Sequence, residues 1–103
     1  MYMRIIWGKL RPGQWEAYEE AYKNVLRPES ETIRGLKGRW LARDLTDRDA
    51  GYSVSLWEST EAMERYEASD FFRFKVKPAL QPFFANDFTT THCEVRVNEK
   101  FSS

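Results

Sequence analysis

Residues 51–72, GYSVSLWESTEAMERYEASDFF, change from one periodicity to another at Trp57-Glu58-Ser59-Thr60. Tyr52–Trp57 alternates in the manner of a β-strand. Either Ser59 or Thr60 can cap a following helix, whose inward stripe is formed by Ala62, Met63 and Tyr66. The stretch therefore predicts a strand that runs directly into an amphipathic helix, with a tryptophan at the corner.

The segments before this corner predict two more strands and one more helix. Met3–Leu10 and Leu36–Leu45 are β-rich, and the polar turn Thr46–Gly51 predicts that the second and third strands pair as an antiparallel hairpin. Apolar residues recur with helical period at Trp15, Tyr18, Tyr22, Val25 and Leu26. Pro28 ends or kinks this first helix, and residues 29–34 can add a further turn.

The segments after the corner are less uniform. Phe71–Lys77 fits a helix that follows a second cap at Ser69-Asp70, but its period-two alternation also fits a strand. Phe88–Val97 is rich in Thr and Val and predicts the last strand. The resulting order is β-α-β-β-α-β with an extra helical segment before the final strand.

This order predicts an α+β fold, a ferredoxin-like sandwich whose four-stranded antiparallel sheet carries its helices on one face. We treat residues 1–103 as a single domain with a core of about residues 3–97. The strands carry more apolar side chains than one covered face needs: Ile5, Ile6, Trp7, Trp40, Leu41, Val54, Leu56, Trp57, Val95 and Val97. We therefore expect a homodimer that packs sheet against sheet.

The composition narrows the classes of function. The 103 residues include 16 basic and 16 acidic side chains, so no overall field favours nucleic acid or an anionic membrane, and no apolar run approaches a membrane span. Cys93 is the only cysteine and His92 the only histidine, which predicts no metal site and a cytoplasmic location. No Gly-rich phosphate loop follows a strand, so we expect no flavin either. Aromatic residues make up 16% of the chain.

Several motifs resemble one family. Pro12-Gly13, Gly35-Leu36-Lys37-Gly38, the segment from Tyr52 to Met63, and Ser69-Asp70-Phe71 together are similar to the antibiotic biosynthesis monooxygenase (ABM) domains of the dimeric α/β-barrel superfamily. The resemblance covers roughly Met3 to Val97. It implies a homodimer whose two sheets close into a barrel, with a pocket in each protomer between helices and sheet. Some members oxygenate aromatic polyketides without metal or flavin, some degrade haem, and many have no known activity.

The haem-degrading branch of this family does not match. It needs an Asn on the first strand, a Trp on the second helix and a later His. Ile6, Tyr66 and Val76 occupy these positions. We therefore expect no haem turnover.

A cofactor-free oxygenase is compatible with the residues present. An electron-rich phenolate can give an electron to O₂ itself, so the protein needs only to bind a ring, help to deprotonate it and stabilise negative charge. Our candidates are Trp57, Tyr66 and Trp40 as pocket walls, His92 as base, and Arg39 or Arg43 as the cation. Each has a structural alternative: Trp57 and Tyr66 as core, His92 and the arginines as ordinary strand residues.

Two other classes stay open. RNA-recognition modules share the element order, but Ala50 stands where such a module has a basic residue, and the segments Pro12–Arg34 and Asp70–Asn86 are longer than it needs. A non-catalytic homodimer that binds a small aromatic ligand, or has only a structural role, is not separated from an enzyme by the sequence. Cys93 neighbours His92 on a strand, so the two side chains point to opposite faces and form no nucleophile pair.

Overall fold

The computed structural model describes residues 1–102, apart from the side chains of residues 29–31. The strands are Tyr2–Lys9 (β1), Leu36–Arg43 (β2), Ala50–Trp57 (β3) and Thr89–Glu94 (β4). The α-helices are Trp15–Leu26 (α1), Thr60–Glu67 (α2) and Lys77–Leu80 (α3). Shorter 3₁₀ segments cover Arg27–Thr32 and Gln81–Phe83, and Phe71–Val76 forms a π-helical turn. None of the helices among residues 1–102 has the length and apolar character needed to cross a bilayer.

The described strands form one four-stranded antiparallel sheet in the order β2-β3-β1-β4. β1 lies at the centre, where Ile5 is opposite Val54 of β3 and Arg4 is opposite His92 of β4. The hairpin of β2 and β3 confirms the sequence prediction. The fold is the expected ferredoxin-like α+β sandwich, with an open sheet covered by helices on one side.

Pleating divides the sheet into two faces of different composition. The face below the helices contains Arg4, Ile6, Arg39, Ser53 and Ser55, which line the space between helices and sheet. By the strand register, the open face carries a mainly apolar set: Met3, Ile5, Trp7, Trp40, Tyr52, Val54, Leu56 and Cys93. The covered face is therefore the more polar of the two.

Two apolar clusters hold the helices to the sheet. The larger one joins α1, α3 and Leu10, and it includes the predicted stripe residues Trp15, Tyr18 and Tyr22. The smaller one surrounds Trp57, which is 1% exposed and packs against Ala62 and Met63 of α2. Burial of such side chains contributes a few kcal/mol each, so these clusters fix α1 and α2 on the sheet.

The ambiguous segment after α2 is helical, so a strand in this region is wrong. Ser69 Oγ accepts a hydrogen bond from the Phe72 N–H (3.2 Å) and donates one to the Tyr66 carbonyl (2.6 Å). Val76 is buried while Phe74 is 64% exposed, so the segment packs by helical sidedness despite its alternating letters. β4 is shorter than predicted, because it ends at Glu94 and Val97 lies beyond it with 74% of its surface exposed.

Candidate functional site

A cavity lies between the helices and the covered face of the sheet. It is open to solvent on one side, and its empty volume is about 620 Å³ when that open solvent is included. Its floor is formed by strand residues: Arg4, Ile6, Leu36, Arg39, Ser53, Ser55 and Trp57. Its roof comes from the helices and the segment before β4: Tyr18, Tyr22, Leu26, Tyr66, Phe72, Val76, Lys77, Leu80, Gln81, Phe84 and Phe88.

Hydroxyl groups on the floor are hydrogen-bonded to aromatic side chains of the walls. The Tyr22 hydroxyl and Ser53 Oγ lie 2.8 Å apart, and the Trp57 Nε1–H donates to Ser55 Oγ at 2.8 Å. These bonds orient Tyr22 and Trp57, because a buried phenol or indole needs a partner for its polar atom. The two serines thus hold the ring walls in place without adding charge.

Arg4 is the most deeply buried charged group of the cavity, at 6% exposure. Its Nε donates to Glu67 Oε2 at 2.7 Å, and its Cζ lies 4.9 Å from the centre of the Phe72 ring and 5.9 Å from that of Tyr66. Glu67 in turn contacts His92, whose Nε2 lies 3.1 Å from each carboxylate oxygen. A chain of contacts therefore leads from a half-exposed histidine to a cation inside the cavity.

The burial of the tyrosine rings determines their protonation state. Desolvation raises the pKa of Tyr66 to about 12, even though the charges of Arg4 and Arg39 lower it. Desolvation also raises the pKa of Tyr22, against the opposing effect of its bond to Ser53. Both phenols stay protonated at neutral pH, so they can orient a ligand by hydrogen bonding and do not act as bases.

The structure brings together three of the residues singled out from the sequence. Trp57, Tyr66 and Arg39 all line the cavity. The Trp57 and Tyr66 rings are 5.2 Å apart, and Arg39 Cζ lies 5.8 Å from the Tyr22 ring centre. Their proposed roles toward a ligand stay predictions.

The other sequence candidates lie elsewhere. Trp40 does not line the cavity: it is opposite Val54 in the sheet, so pleating puts its ring on the open face, where it is 52% exposed. Arg43 is outside the cavity as well and donates from Nε to the Arg48 carbonyl. His92 lies on the same side of the sheet as Arg4, is not among the described lining residues, and is linked to Arg4 by the carboxylate of Glu67.

Sequence reasoning missed Arg4, Ser53 and Ser55. Arg4 is separated by one residue from Ile6, so the alternation of β1 puts both on one face, and a charge in an apolar strand is a signal of a polar site. Ser53 and Ser55 alternate with Val54 and Leu56, and the sequence did not indicate which of these two pairs lies below the helices. Ile6 and Val76, at two positions that haem-degrading members use, line the cavity with side chains that cannot coordinate iron.

Among the described residues, no group of three or more His, Cys, Asp and Glu side chains is arranged to hold a metal ion. The ring-lined cavity below the helices of a ferredoxin-like sandwich defines the class of the protein as a small α+β domain with a cavity between helices and sheet. A family model named antibiotic biosynthesis monooxygenase matches residues 1–89, so the chain belongs to the ABM family.

Solved structures with this fold are similar over nearly the whole chain. One is an antibiotic biosynthesis monooxygenase at 16% identity, with a TM-score of 0.76 and coverage of 92% of this chain and 98% of the other. A protein from Bordetella bronchiseptica designated as a candidate antibiotic biosynthesis monooxygenase has 21% identity, a TM-score of 0.81 and coverage of 93% and 97%. Rv0793 from Mycobacterium tuberculosis has 13% identity, a TM-score of 0.75 and coverage of 95% and 96%. At these identities the likeness shows the fold alone. Among curated proteins, no sequence matches the chain.

Proposed function

We propose that this protein is a cofactor-independent monooxygenase that acts on a small, flat aromatic molecule of the quinol or polyketide type, bound in the cavity. The observation that carries the proposal is the lining itself: the rings of Tyr22, Trp57, Tyr66 and Phe72 line the same cavity as the buried guanidinium of Arg4, which lies against Phe72 and Tyr66. Membership of the ABM family supports the same class of reaction.

The reaction needs few protein groups beyond those that line the cavity. The bound phenolate transfers one electron to O₂, and the resulting phenoxyl radical and superoxide combine in a C–O bond. Protonation gives a hydroperoxide, and loss of water from it breaks the O–O bond and leaves one oxygen atom on the ring carbon as a carbonyl, so the substrate supplies all the reducing power. The rings bind the substrate by apolar burial and stacking, and the cation stabilises its negative charge in a site screened from water. His92 as the base stays a prediction: it is not among the described lining residues, and its connection to the cavity runs through Glu67 and Arg4.

A non-catalytic ligand-binding protein is the competing function, because the same cavity would serve it. The two are separated by measuring binding and oxygen consumption on one panel of quinols. Binding follows from quenching of tryptophan fluorescence, and turnover from an oxygen electrode with product analysis. Saturable binding without oxygen uptake across the panel would favour the non-catalytic protein.

Tyr66 is the ring whose replacement tests the cavity most directly. We expect Tyr66→Phe to bind the panel nearly as well as the wild type, and Tyr66→Leu, which keeps apolar bulk without a π face, to bind about tenfold more weakly. Leu is preferred to Ala because Tyr66 also borders a second groove with Ile33 and Phe71, into which a smaller side chain would open the cavity. Phe74→Leu is the matched control, since Phe74 is 64% exposed and lines no described cavity. Equal affinity of Tyr66→Leu and wild type would contradict the proposed site.

We also propose that two copies pack through the open face of the sheet. The face carries Trp7, Trp40 and Tyr52 with 38%, 52% and 40% of their surfaces exposed. A continuous apolar surface of this kind is unusual for a monomer. A second copy presents the same apolar face, so a symmetric dimer removes both faces from water. The interface lies on the side of the sheet opposite the cavity.

A further inference from the structure

The charged groups that line the cavity are all basic. They are Arg4, Arg39 and Lys77, and the described lining residues include no Asp or Glu. An aromatic ligand without charge needs no such set, because ring stacking and apolar burial supply its affinity. Lys77 is exposed and Arg4 is paired with Glu67, so the basic lining favours an anionic ligand, or an anionic part of a ligand, where a cation keeps unused donors toward the cavity.

Arg4 is the most deeply buried member of this set, at 6% exposure. A guanidinium carries five N–H donors, and within the described residues Arg4 uses only Nε, in its bond to Glu67. The side chain is 7% exposed, so the two Nη groups have little access to bulk solvent. The described residues contain no fully buried polar side-chain atom without a partner. Because the Nη groups of Arg4 have no such partner, they are not fully buried and border unfilled space. Arg4 lines the cavity, so that space is the cavity.

The guanidinium is also held in one orientation. Glu67 fixes one edge, and the rings of Phe72 and Tyr66 lie within 4.9 and 5.9 Å of its Cζ. Such a group is preorganised, because little further conformational entropy is lost when an anion binds to its remaining edge. The lowered pKa of Glu67 keeps its carboxyl ionised at neutral pH, and its bond to Nε leaves the Nη donors of Arg4 unused.

We propose that Arg4 is the anchor for an oxyanion of the ligand, so that the ligand of this cavity is a flat aromatic anion, a phenolate or a ring carboxylate, held by the Nη donors of Arg4 while its ring lies among Tyr66, Phe72 and Trp57. This inference rests on the proposed function and deepens it by naming the residue that holds the negative charge of the ligand. A neighbouring cation also lowers the pKa of a bound phenol, so the same contact favours the phenolate that reacts with O₂.

The test compares ring ligands that differ only in charge. The probes are a naphthoate against its amide, and a nitronaphthol that is ionised at neutral pH against its methyl ether, each titrated by fluorescence quenching. We expect the wild type to bind at least one ionised probe about tenfold or more tightly than its neutral partner, because a charge-assisted hydrogen bond in a buried site discriminates by that order. The carboxylate pair and the phenolate pair show separately which oxyanion is preferred.

Variants then assign the preference to Arg4. Arg4→Gln should weaken binding of the preferred anion about tenfold and leave its neutral partner unchanged, and Arg4→Lys should restore part of the loss. Arg43→Gln is the matched control on the same side of the sheet and outside the cavity. Because Arg4→Gln leaves Glu67 without its cation, the double variant Arg4→Gln/Glu67→Gln, in which two amides can bond, covers the case in which the single variant fails to fold.

Three results would overturn the inference. Equal affinity of the wild type for charged and neutral probes removes the charge class while the aromatic site of the proposed function still stands. If the preference for the charged probe survives Arg4→Gln but is lost in Arg39→Gln, then Arg39 and not Arg4 holds the oxyanion. Absence of binding by any aromatic probe overturns both this inference and the proposed function.

Discussion

At the scale of single residues, Glu67 has a dual position as the partner of Arg4 and of His92. Burial by itself raises the pKa of Glu67, but the hydrogen bonds from Arg4 and His92 outweigh it, so its pKa lies below the ordinary value. A carboxyl whose pKa is lower in the folded state contributes stability above its unfolded pKa of about 4.3, and this stability is lost as the pH falls through the folded pKa.

Glu67→Gln is therefore expected to lower the free energy of unfolding at neutral pH by about 1–2 kcal/mol and to reduce its dependence on pH in the acid range. Urea unfolding between neutral pH and about pH 3 measures both effects. Glu64→Gln, at an exposed position of the same helix, is the control. Parallel pH profiles for Glu67→Gln and the wild type would show that the pairing does not contribute.

Two glycines share a left-handed backbone but differ in their surroundings. Gly13 has φ = 75° and Gly35 has φ = 86°. A Cβ at Gly13 would meet nothing within 4 Å, whereas one at Gly35 would overlap the Cβ of Ala62 in α2. Gly35 is thus needed both for its backbone conformation and for the close approach of α2.

We expect Gly13→Ala to cost about 1–2 kcal/mol for its backbone conformation alone. Gly35→Ala should cost about 1–3 kcal/mol more, because the overlap displaces α2. Denaturant midpoints of the two variants measure the difference. Equal destabilisation would mean that α2 moves away from β2 without cost.

At the scale of elements, the corner between β3 and α2 shows how a local signal and packing act together. Ser59 has the extended backbone of an N-cap, with φ = −149° and ψ = 161°, and its Oγ accepts a hydrogen bond from the Ala62 N–H at 3.1 Å. Trp57 is buried two residues earlier, and its indole packs against α2. The cap begins the helix, and the tryptophan holds it on the sheet.

Of the two residues that the sequence offered as the cap, Ser59 is the one used. Ser59→Ala is expected to lower stability by about 1 kcal/mol, since the first turn then loses its side-chain acceptor. Thr60→Ala is the control, because the Thr60 hydroxyl contacts only the Glu61 side chain, at 3.4 Å. Thermal unfolding of both variants measures the effect. A larger loss of stability for Thr60→Ala than for Ser59→Ala would show that Thr60, and not Ser59, is the cap.

The Phe71–Val76 segment has an alternating sequence that is typical of a strand, although its structure is helical. Its alternation arises from Arg73 and Lys75, which lie on the outside together with Phe74, while Phe72 and Val76 point into the cavity. The spacing of Phe72 and Val76 is that of one helical face. If this segment were a strand paired at the edge of the sheet, its side chains would not fill this part of the cavity roof. Packing of the roof therefore decides the conformation of the segment.

At the scale of the whole molecule, the protein is a slab of 37 × 35 × 22 Å with helices on one broad side and the apolar sheet face on the other. We expect the proposed dimer to bury well above the ~1,000 Å² that stable association requires. The edge tryptophan Trp40 and the central Val54 lie opposite each other on this face.

We expect native mass spectrometry at micromolar concentration to show a dimer. Val54→Glu and Trp40→Glu should convert it to monomer, because each buries an unpaired carboxylate in the interface. Leu45→Glu, in the turn between β2 and β3 and at a residue that is 88% exposed, should stay dimeric. A wild type that is only monomeric would contradict the proposed dimer, and would leave the rings of the open face available to another partner.

The sequence by itself determined the order of elements, the inward stripe of α1, the hairpin of β2 and β3, and the corner at Trp57, because each is set by periodicity, turn residues or a cap within a short stretch. It also placed Trp57 and Tyr66 close enough to share one space, since the strand leads directly into the helix.

Only the tertiary structure decided which face of the sheet lies below the helices. The alternation of β3 puts Ser53 and Ser55 on one face and Val54 and Leu56 on the other, and ordinary patterning would cover the apolar pair. Here the serines are covered, bonded to Tyr22 and Trp57 of the cavity walls, and the apolar pair is open. Alternation fixes that two faces differ but not which one the helices cover, because that depends on how α1 and α2 pack across the whole sheet. This choice turns Arg4 into the cavity and Trp40 away from it.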